Sequence, residues 1–269
     1  MINEIIKNMP NREYHASLGI SNSRMGYLLD CPARYYTEFL DPNKPEKKKP
    51  EAFTLGTAVH SLVLEPNKFF EDNYLFPKCD RRTKKGKEDF ELHSMQSAGK
   101  NLLNDEQYEK AQAMAESIFK RIPWLKTVLQ GASIEDSLFW VDDDTGVQLR
   151  SRPDIYNGDF YIDLKTTASA KQEDFTRSIV NYGYDRQAAL ARAGLMRFYG
   201  KHYKYFLNVV VEEDYPYLCA AYIMDDAILD RGEAQYKRAT QIYKECLEKN
   251  TWPGYTSEIQ QVYLPPWLK

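Results

Sequence analysis

Two aspartates and a lysine, spaced as Pro153-Asp154 and Asp163-Leu164-Lys165, are the residues of this 269-residue chain whose types and spacing could do chemistry. Between them lies Asn157-Gly158, flanked by alternating apolar and polar residues. That dipeptide is the strongest short hairpin signal and predicts a two-residue type I′ loop. The loop sets a register in which Tyr156 faces Asp159, Ile155 faces Phe160 and Asp154 faces Tyr161. Side chains alternate along a strand, and opposed residues share a face. Asp154, Tyr161, Asp163 and Lys165 therefore point one way, and Ile155, Phe160, Ile162 and Leu164 the other. Asp154 and Asp163 become diagonal neighbours, about 7–8 Å apart, whose carboxylates can converge.

Two hard carboxylate ligands suit Mg²⁺, which keeps several waters and takes a substrate phosphate as a further ligand. Such a cation acidifies water and shields charge on phosphorus, while a lysine adds positive charge where negative charge develops. The chemistry is metal-assisted phosphodiester hydrolysis. Asp and Lys on a strand face are also common as mere solvating groups. Two features favour chemistry here: the hairpin fixes the register independently, and Asp163-Leu164-Lys165-Thr166-Thr167 ends a strand whose other face is apolar.

The elements that position these residues are legible in the periodicity. From Ile134 the period is two, giving strands over 134–141, 147–155 and 159–165, with Asp144-Thr145-Gly146 turning the first pair. Leu55, Ala58, Val59, Leu62 and Val63 recur at helical spacing until Pro66. A second helix runs over 104–121, with Asn104 as N-cap and Gln107 as its capping-box partner, and Pro123 beyond it. Further expectations are a helix at 184–199, strands at 202–210 and 217–224, and a helix at 226–249. The stretch from Ser21 opens a capped helix, Lys47-Lys48-Lys49 reads as a solvated loop, and the aromatic tail from Trp252 packs down as irregular chain. The order α, β-β-β, α, β-β, α is that of one α/β domain around a central mixed β-sheet flanked by helices: an N-terminal helical segment (1–53), a core (54–224) and a C-terminal helix and tail (225–269).

Composition sets outer bounds. Apolar residues at 43% and charged residues at 28% are those of a globular protein, and exclude collagen-like, disordered and coiled-coil chains. No apolar run approaches the roughly 20 residues of a membrane span, and the N-terminus lacks the apolar stretch of a secretory signal. A cytoplasmic protein with reduced, mostly buried thiols is expected, because Cys31, Cys79, Cys219 and Cys246 form no C-x-x-C pair. The net charge of −3 does not advertise a polyanion partner, but local patches steer ligands more than the sum does. Arg81, Arg82, Lys84, Lys85 and Lys87 make one such patch, either a solvated loop or a phosphate-attracting surface. Ser21 and Ser23, at a helix N-terminus, are either plain caps or ligands for a terminal 5′-phosphate.

The pattern of Arg152-Pro153-Asp154 followed by Asp163-Leu164-Lys165-Thr166-Thr167 resembles the PD-(D/E)xK nuclease core, whose restriction-endonuclease-like α-β-β-β-α-β order matches the reading above. The likeness extends to the RecE-type, lambda-exonuclease-like exonucleases. It is carried by Asn11–His15, Gly19–Ser23, Leu55–His60, Leu64-Glu65-Pro66, Arg81-Arg82-Thr83, Gly86-Lys87, Trp252-Pro253 and Leu264-Pro265, in the same order along nearly the whole chain. The resemblance implies that Asp154 and Asp163 bind the metal, helped by the Leu164 carbonyl, with Lys165 as the catalytic lysine and His60 as the active-site histidine. Read from the residues alone, His60 is a single helical histidine, and imidazole suits Mn²⁺ better than Mg²⁺. Glu135 matches a further carboxylate position, that of a second-tier metal ligand, and Gln187 the glutamine that follows the core, placed among the DNA-binding residues. Ala191 stands where the family pattern continues to a tyrosine. A serine of the Ser21–Ser23 region binds the 5′-phosphate in such relatives, which favours Ser23. The implied protein is a Mg²⁺-dependent exonuclease, with Mn²⁺ able to substitute, that digests double-stranded DNA from 5′ ends to leave 3′ single strands. The implied partners are a single-strand annealing recombinase and further copies of itself in a ring. An endonuclease on the same core, a DNA-end-binding protein without catalysis, and a structural module are the competing expectations.

Overall fold

Local chemistry accounts for most elements of the computed structural model, which describes residues 2–45, 55–201 and 203–264. A short strand, β1 (Glu4–Ile6), precedes helices α1 (Asn11–Ala16), α2 (Asn22–Asp30) and α3 (Pro32–Phe39). Helix α4 (Leu55–Leu64) ends before Pro66, and α5 (Phe69–Asp72), β2 (Asn73–Leu75), α6 (Lys84–Gln96) and β3 (Asn101–Leu103) follow. Helix α7 (Asp105–Arg121) carries the expected capping box, with both reciprocal Asn104–Gln107 bonds at 2.9 Å. After α8 (Trp124–Leu129) come β4 (Ser133–Ile134), β5 (Ser137–Val141), β6 (Gln148–Ser151), β7 (Ile155–Asn157) and β8 (Phe160–Thr167). The chain closes with α9 (Gln172–Tyr182), α10 (Tyr184–Tyr199), β9 (Tyr205–Glu212), β10 (Cys219–Ile223) and α11 (Asp226–Lys249). The Lys47-Lys48-Lys49 loop, His202 and Pro265 lie outside the described residues.

The expected strands 134–141 and 147–155 each break in two. Glu135 takes a left-handed φ of +49°, and Pro153 has no N–H to give a ladder. Between them the Glu135 amide donates to the Asp154 carbonyl at 3.1 Å. Beyond this kink β5 and β6 join β1 in a small antiparallel sheet of order β1-β5-β6. On its other side β4 and β7 belong to a five-stranded mixed sheet of order β10-β9-β8-β7-β4, in which only β8 and β9 run parallel. The meander thus changes sheet at the two positions that carry carboxylates.

The hairpin register also differs from expectation. Asn157 pairs with Phe160 and Tyr156 with Tyr161, so the loop is Gly158-Asp159, with Gly158 at φ +55°. Pairing has moved by two residues, which preserves the face of every side chain. Continued past β7, this register sets Asp154 directly opposite Asp163 rather than diagonal to it.

Two cores fill the two faces of the large sheet. On one, Ile155, Ile162, Leu164, Leu207, Val209 and Val211 pack with apolar residues of α4, α7 and α8. On the other, Tyr156, Tyr161, Phe206 and Val210 pack with residues of α2, α10 and α11, so the C-terminal helix shares this core. Each fully buried aliphatic or aromatic side chain contributes about 1.5–3 kcal/mol. Phe160, expected on the apolar face, lies at the very start of β8, where it is exposed and stacks on Tyr205. Of the basic run, Arg81 and Arg82 lie in a turn, while Lys84, Lys85 and Lys87 open α6, whose Thr83 cap accepts from the Gly86 amide at 2.9 Å. Helix α9 was not legible either, and Gly183, at φ +68°, separates it from α10. The tail packs only at its start, where Trp252 stacks on Tyr35 at 5.5 Å and Pro253 accepts from the Ala33 amide, while residues 254–264 are exposed. All four cysteines are free, two buried and two half-buried. Among the described residues no helix is long and apolar enough to cross a membrane.

Candidate active site

Strand β8 delivers Asp163 and Lys165 to one face, as its parity requires, and the kink before β7 delivers Asp154 against them. Asp163 is 2% exposed and Asp154 8%. Lys165 Nζ lies 2.5 Å from Asp163 Oδ2. Its ammonium also sits 4.8 Å from the centroid of the Tyr184 ring, at the start of α10. One turn on, Gln187 Nε2 donates to Asp163 Oδ1 at 2.7 Å, and Asn208 Nδ2, on β9, donates to Oδ2 at 3.2 Å. Asp154 Oδ2 accepts from the Leu164 amide at 2.8 Å, a side chain taking the ladder bond that a β-strand carbonyl would otherwise accept.

Helix α4 lies close over this edge of the sheet. A Cβ on Gly56 would come within 3.3 Å of Thr166 Oγ1. The close approach brings His60 down so that its Nε2–H donates to the Leu164 carbonyl at 2.6 Å, with Nδ1 3.6 Å from Asp154 Oδ2. Glu135 completes the acid group, and its Oε2 is 4.0 Å from an Arg152 nitrogen. Its left-handed backbone, a conformation costing about 1–3 kcal/mol, is held by the bond to the Asp154 carbonyl.

Burial and mutual charge perturb these groups. Burial, then the neighbouring Asp163 charge, pushes the Asp154 acid from its ordinary 3.8 up to about 7. Burial and the Asp154 charge raise Glu135. Burial, reinforced by Lys165, lowers His60, which keeps the imidazole in its neutral, ligating form. Burial pulls the Lys165 ammonium down, but Asp163 and Asp154 outweigh it and leave its pKa raised. Clustered buried groups with displaced pKa values mark functional sites.

Two adjoining hollows border the group through His60, Glu135 and Gln187, while Asp154, Asp163 and Lys165 line neither, and Asn11 and Glu135 line both. One, of about 180 Å³, is walled by His60, Thr57, Ser61, Glu65 and Asp72. The other, of about 250 Å³, is walled by Ser21, Asn22, Ser23, His15, Arg150, Arg152 and Gln187. The guanidinium carbons of Arg150 and Arg152 lie 4.8 and 4.2 Å from the Tyr14 ring centroid. Ser21 is the N-cap of α2 by position, yet its side chain caps nothing, and Ser21 and Ser23 hydroxyls bond each other at 3.1 Å.

The structure therefore brings Asp154, Asp163, Lys165, Leu164, His60, Glu135 and Gln187 together, with Ser21 and Ser23 across the same hollow. Arg81, Arg82 and Lys87 line neither hollow. Arg82 is paired with Asp80 through two bonds, and Arg81 lies over the Phe90 ring at 4.4 Å. Sequence reasoning missed Asn208, Tyr184, Arg150 and Asn11 as members of the site. Asn208 had a signal, as the one polar residue among the six of Phe206–Val211.

The donor set suits a divalent cation. Two aspartate carboxylates and a main-chain carbonyl are hard oxygens of the kind Mg²⁺ accepts with waters completing the shell, and an imidazole at the rim suits Mn²⁺. Among the described residues no three His, Cys, Asp or Glu side chains are grouped to cage a metal by themselves. The Leu164 carbonyl would be a further oxygen for such a set, and Asp163 already accepts from Lys165 and Gln187.

The fold is shared with a crystallised protein from Eubacterium rectale described as a candidate exonuclease. The two chains agree with a TM-score of 0.58 over 95% of this chain and 97% of that one, at 14% sequence identity. No curated protein sequence matches this chain. Residues 21–264, which include every acidic and basic group lining the two hollows except His15, match the model of the PDDEXK-like domain of unknown function (DUF3799), and the chain belongs to that family.

Proposed function

We propose that this protein is a divalent-cation-dependent deoxyribonuclease that resects double-stranded DNA ends 5′ to 3′, leaving 3′ single strands for a single-strand annealing recombinase. The observation that carries the nuclease reading is that Asp154 and Asp163 share one face of the sheet, with the Lys165 ammonium 2.5 Å from the second acid and His60 Nδ1 3.6 Å from the first. The exonuclease reading draws on the description of the Eubacterium rectale relative and on the RecE-type pattern of the sequence.

In this reading Asp154, Asp163 and the Leu164 carbonyl hold Mg²⁺ or Mn²⁺, with His60 and Glu135 beside them. The cation supplies Lewis-acid charge at the scissile phosphate. Lys165 orients the attacking water and offsets negative charge as it develops on the phosphoryl oxygens. Gln187 keeps the Asp163 carboxylate turned to the cleft, and Tyr184 confines the lysine from the side. In-line attack on phosphorus breaks the bond to the 3′ oxygen and releases 5′-mononucleotides. Arg150 and Arg152 give the neighbouring hollow a positive wall, and Ser21 and Ser23 offer hydroxyls there for a terminal 5′-phosphate. The basic start of α6 attracts the duplex backbone from further out. A ring of several copies around the duplex, in the cytoplasm, is the assembly this reading favours.

The test is digestion of 5′-phosphorylated linear duplex with Mg²⁺, and separately Mn²⁺, using 5′ and 3′ labels, a covalently closed circle, and the variant Asp163→Ala. Mononucleotides released first from 5′ ends, lost in the variant with DNA binding retained, are expected. Cleavage of the circle would make the protein an endonuclease. End binding without cleavage by the unaltered protein would make it a binding protein, and absence of both would end the proposal.

A further inference from the structure

Strand β9 reads Phe206-Leu207-Asn208-Val209-Val210-Val211, an apolar run broken by one amide. Asn208 is 1% exposed and is the register partner of Asp163 across the parallel β8–β9 pair. Its Nδ2 donates to Asp163 Oδ2 at 3.2 Å, while its Oδ1, equally buried, has no hydrogen-bond partner. The amide cannot be turned over, because that would set its oxygen against a carboxylate oxygen. A buried amide oxygen without a partner is costly, and an apolar side chain of the same shape is commonly neutral or stabilising in such a place. Packing therefore does not account for asparagine in a strand whose neighbouring residues, Phe206, Leu207, Val209 and Val210, are all apolar.

The bond to Asp163 does account for it. Asp163 accepts from three donors on three elements: Lys165 on β8, Gln187 on α10 and Asn208 on β9. Gln187 lines the open hollow and Lys165 has an exposed margin of 15%, so both can be drawn toward a substrate or a cation. Asn208 is the donor held inside the sheet by the backbone ladder on both sides. We propose that Asn208 is a positioning residue, which anchors Asp163 Oδ2 from within the sheet so that the carboxylate keeps its orientation when Lys165 and Gln187 turn to other partners. The inference rests on the nuclease reading for its purpose, but the anchor itself is a statement about how Asp163 receives a divalent cation. Partners that orient a ligand in this way typically change metal affinity or activity by about 10–100-fold when removed.

Asn208→Leu and Asn208→Val remove the donor and keep an apolar strand, two variants guarding against one failing to pack. Mn²⁺ affinity is measured by calorimetry without DNA, and thermal melting in chelator. The expected result is a melting temperature at or above that of the unaltered protein, with Mn²⁺ bound about 10–100-fold more weakly. In turnover, kcat falls by a similar factor while KM for duplex ends stays put. A folded variant that binds Mn²⁺ within twofold of the unaltered protein overturns the inference. The two readings separate cleanly: cleavage intact in both variants sinks the anchor and spares the nuclease. Asparagine-dependent Mn²⁺ binding in a protein that cleaves no DNA sinks the nuclease and spares the anchor.

Discussion

Replacing Asp154 by asparagine tests the electrostatics of the site in a way that activity alone cannot. The carboxyl is buried, faces Asp163, Lys165, His60 and Glu135, and is pushed from 3.8 up to about 7 by burial and then by Asp163. Its folded state therefore prefers the neutral acid. A group raised in this sense contributes stability that is fully present below its unfolded pKa and is lost as pH climbs through the folded one. Moving a carboxylic acid from 3.8 to about 7 corresponds to about 4 kcal/mol of preference for the neutral form. Asparagine stays neutral and its oxygen can keep accepting from the Leu164 amide, now bonded to Asp154 at 2.8 Å. In chelator, Asp154→Asn should match the unaltered protein near pH 4 and exceed it by up to about 4 kcal/mol above pH 7. Urea denaturation of both proteins at several pH values reads the difference directly, because titrations shared by the two cancel. Added Mg²⁺ or Mn²⁺ should stabilise only the unaltered protein and shrink the gap, while cleavage is abolished in the variant. A gap that does not change between pH 5 and 8 refutes the reasoning, since the two acids would then not be sharing a buried field.

Lys165→Met should leave duplex binding intact and lower kcat by at least about 10²-fold, the loss typical of removing one preorganised charge, as read by single-turnover digestion. Joint replacement of Ser21 and Ser23 by alanine should reduce any preference for 5′-phosphorylated over 5′-hydroxyl ends by about tenfold, the worth of a hydrogen bond to a charged group. An unchanged preference would return both serines to a structural role. Arg81 and Lys87, changed together to alanine, should flatten the dependence of log affinity on log salt by about 2, as two phosphate contacts would. An unchanged slope would show that α6 faces away from the duplex. Tyr184→Leu should cost less than Lys165→Met, about 1 kcal/mol of lysine placement, and shift the pH profile of kcat rather than KM.

The hairpin prediction shows how much a local signal can carry and where it stops. Asn157-Gly158 announced the reversal, and the loop closed one residue later, at Gly158-Asp159. The shift of two in pairing left Asp154, Asp163 and Lys165 on one face because side-chain direction repeats every two residues. The capping box at Asn104 and Gln107 and the span of α11 were legible for the same reason: each depends on neighbours a few residues away. The basic start of α6 was not, because its helical state rests on the Thr83 cap and on Phe90 packing with Phe76, against an unfavourable set of positive charges in its first turn.

Residue type and spacing alone established the hairpin, the shared face of two acids and a lysine, and the order of elements around them. They left open which strand lies beside β8, where the meander leaves its sheet, and which helix covers the site. Those choices follow from packing between residues far apart in the chain. The parallel β8–β9 pairing sets Asn208 against Asp163, the close fit of Gly56 on Thr166 lowers His60 to the Leu164 carbonyl, and the kink at Glu135 and Pro153 turns a flat ladder into a cleft. Such contacts gain their energy only when both faces of the sheet are buried at once, so no short stretch of chain contains them.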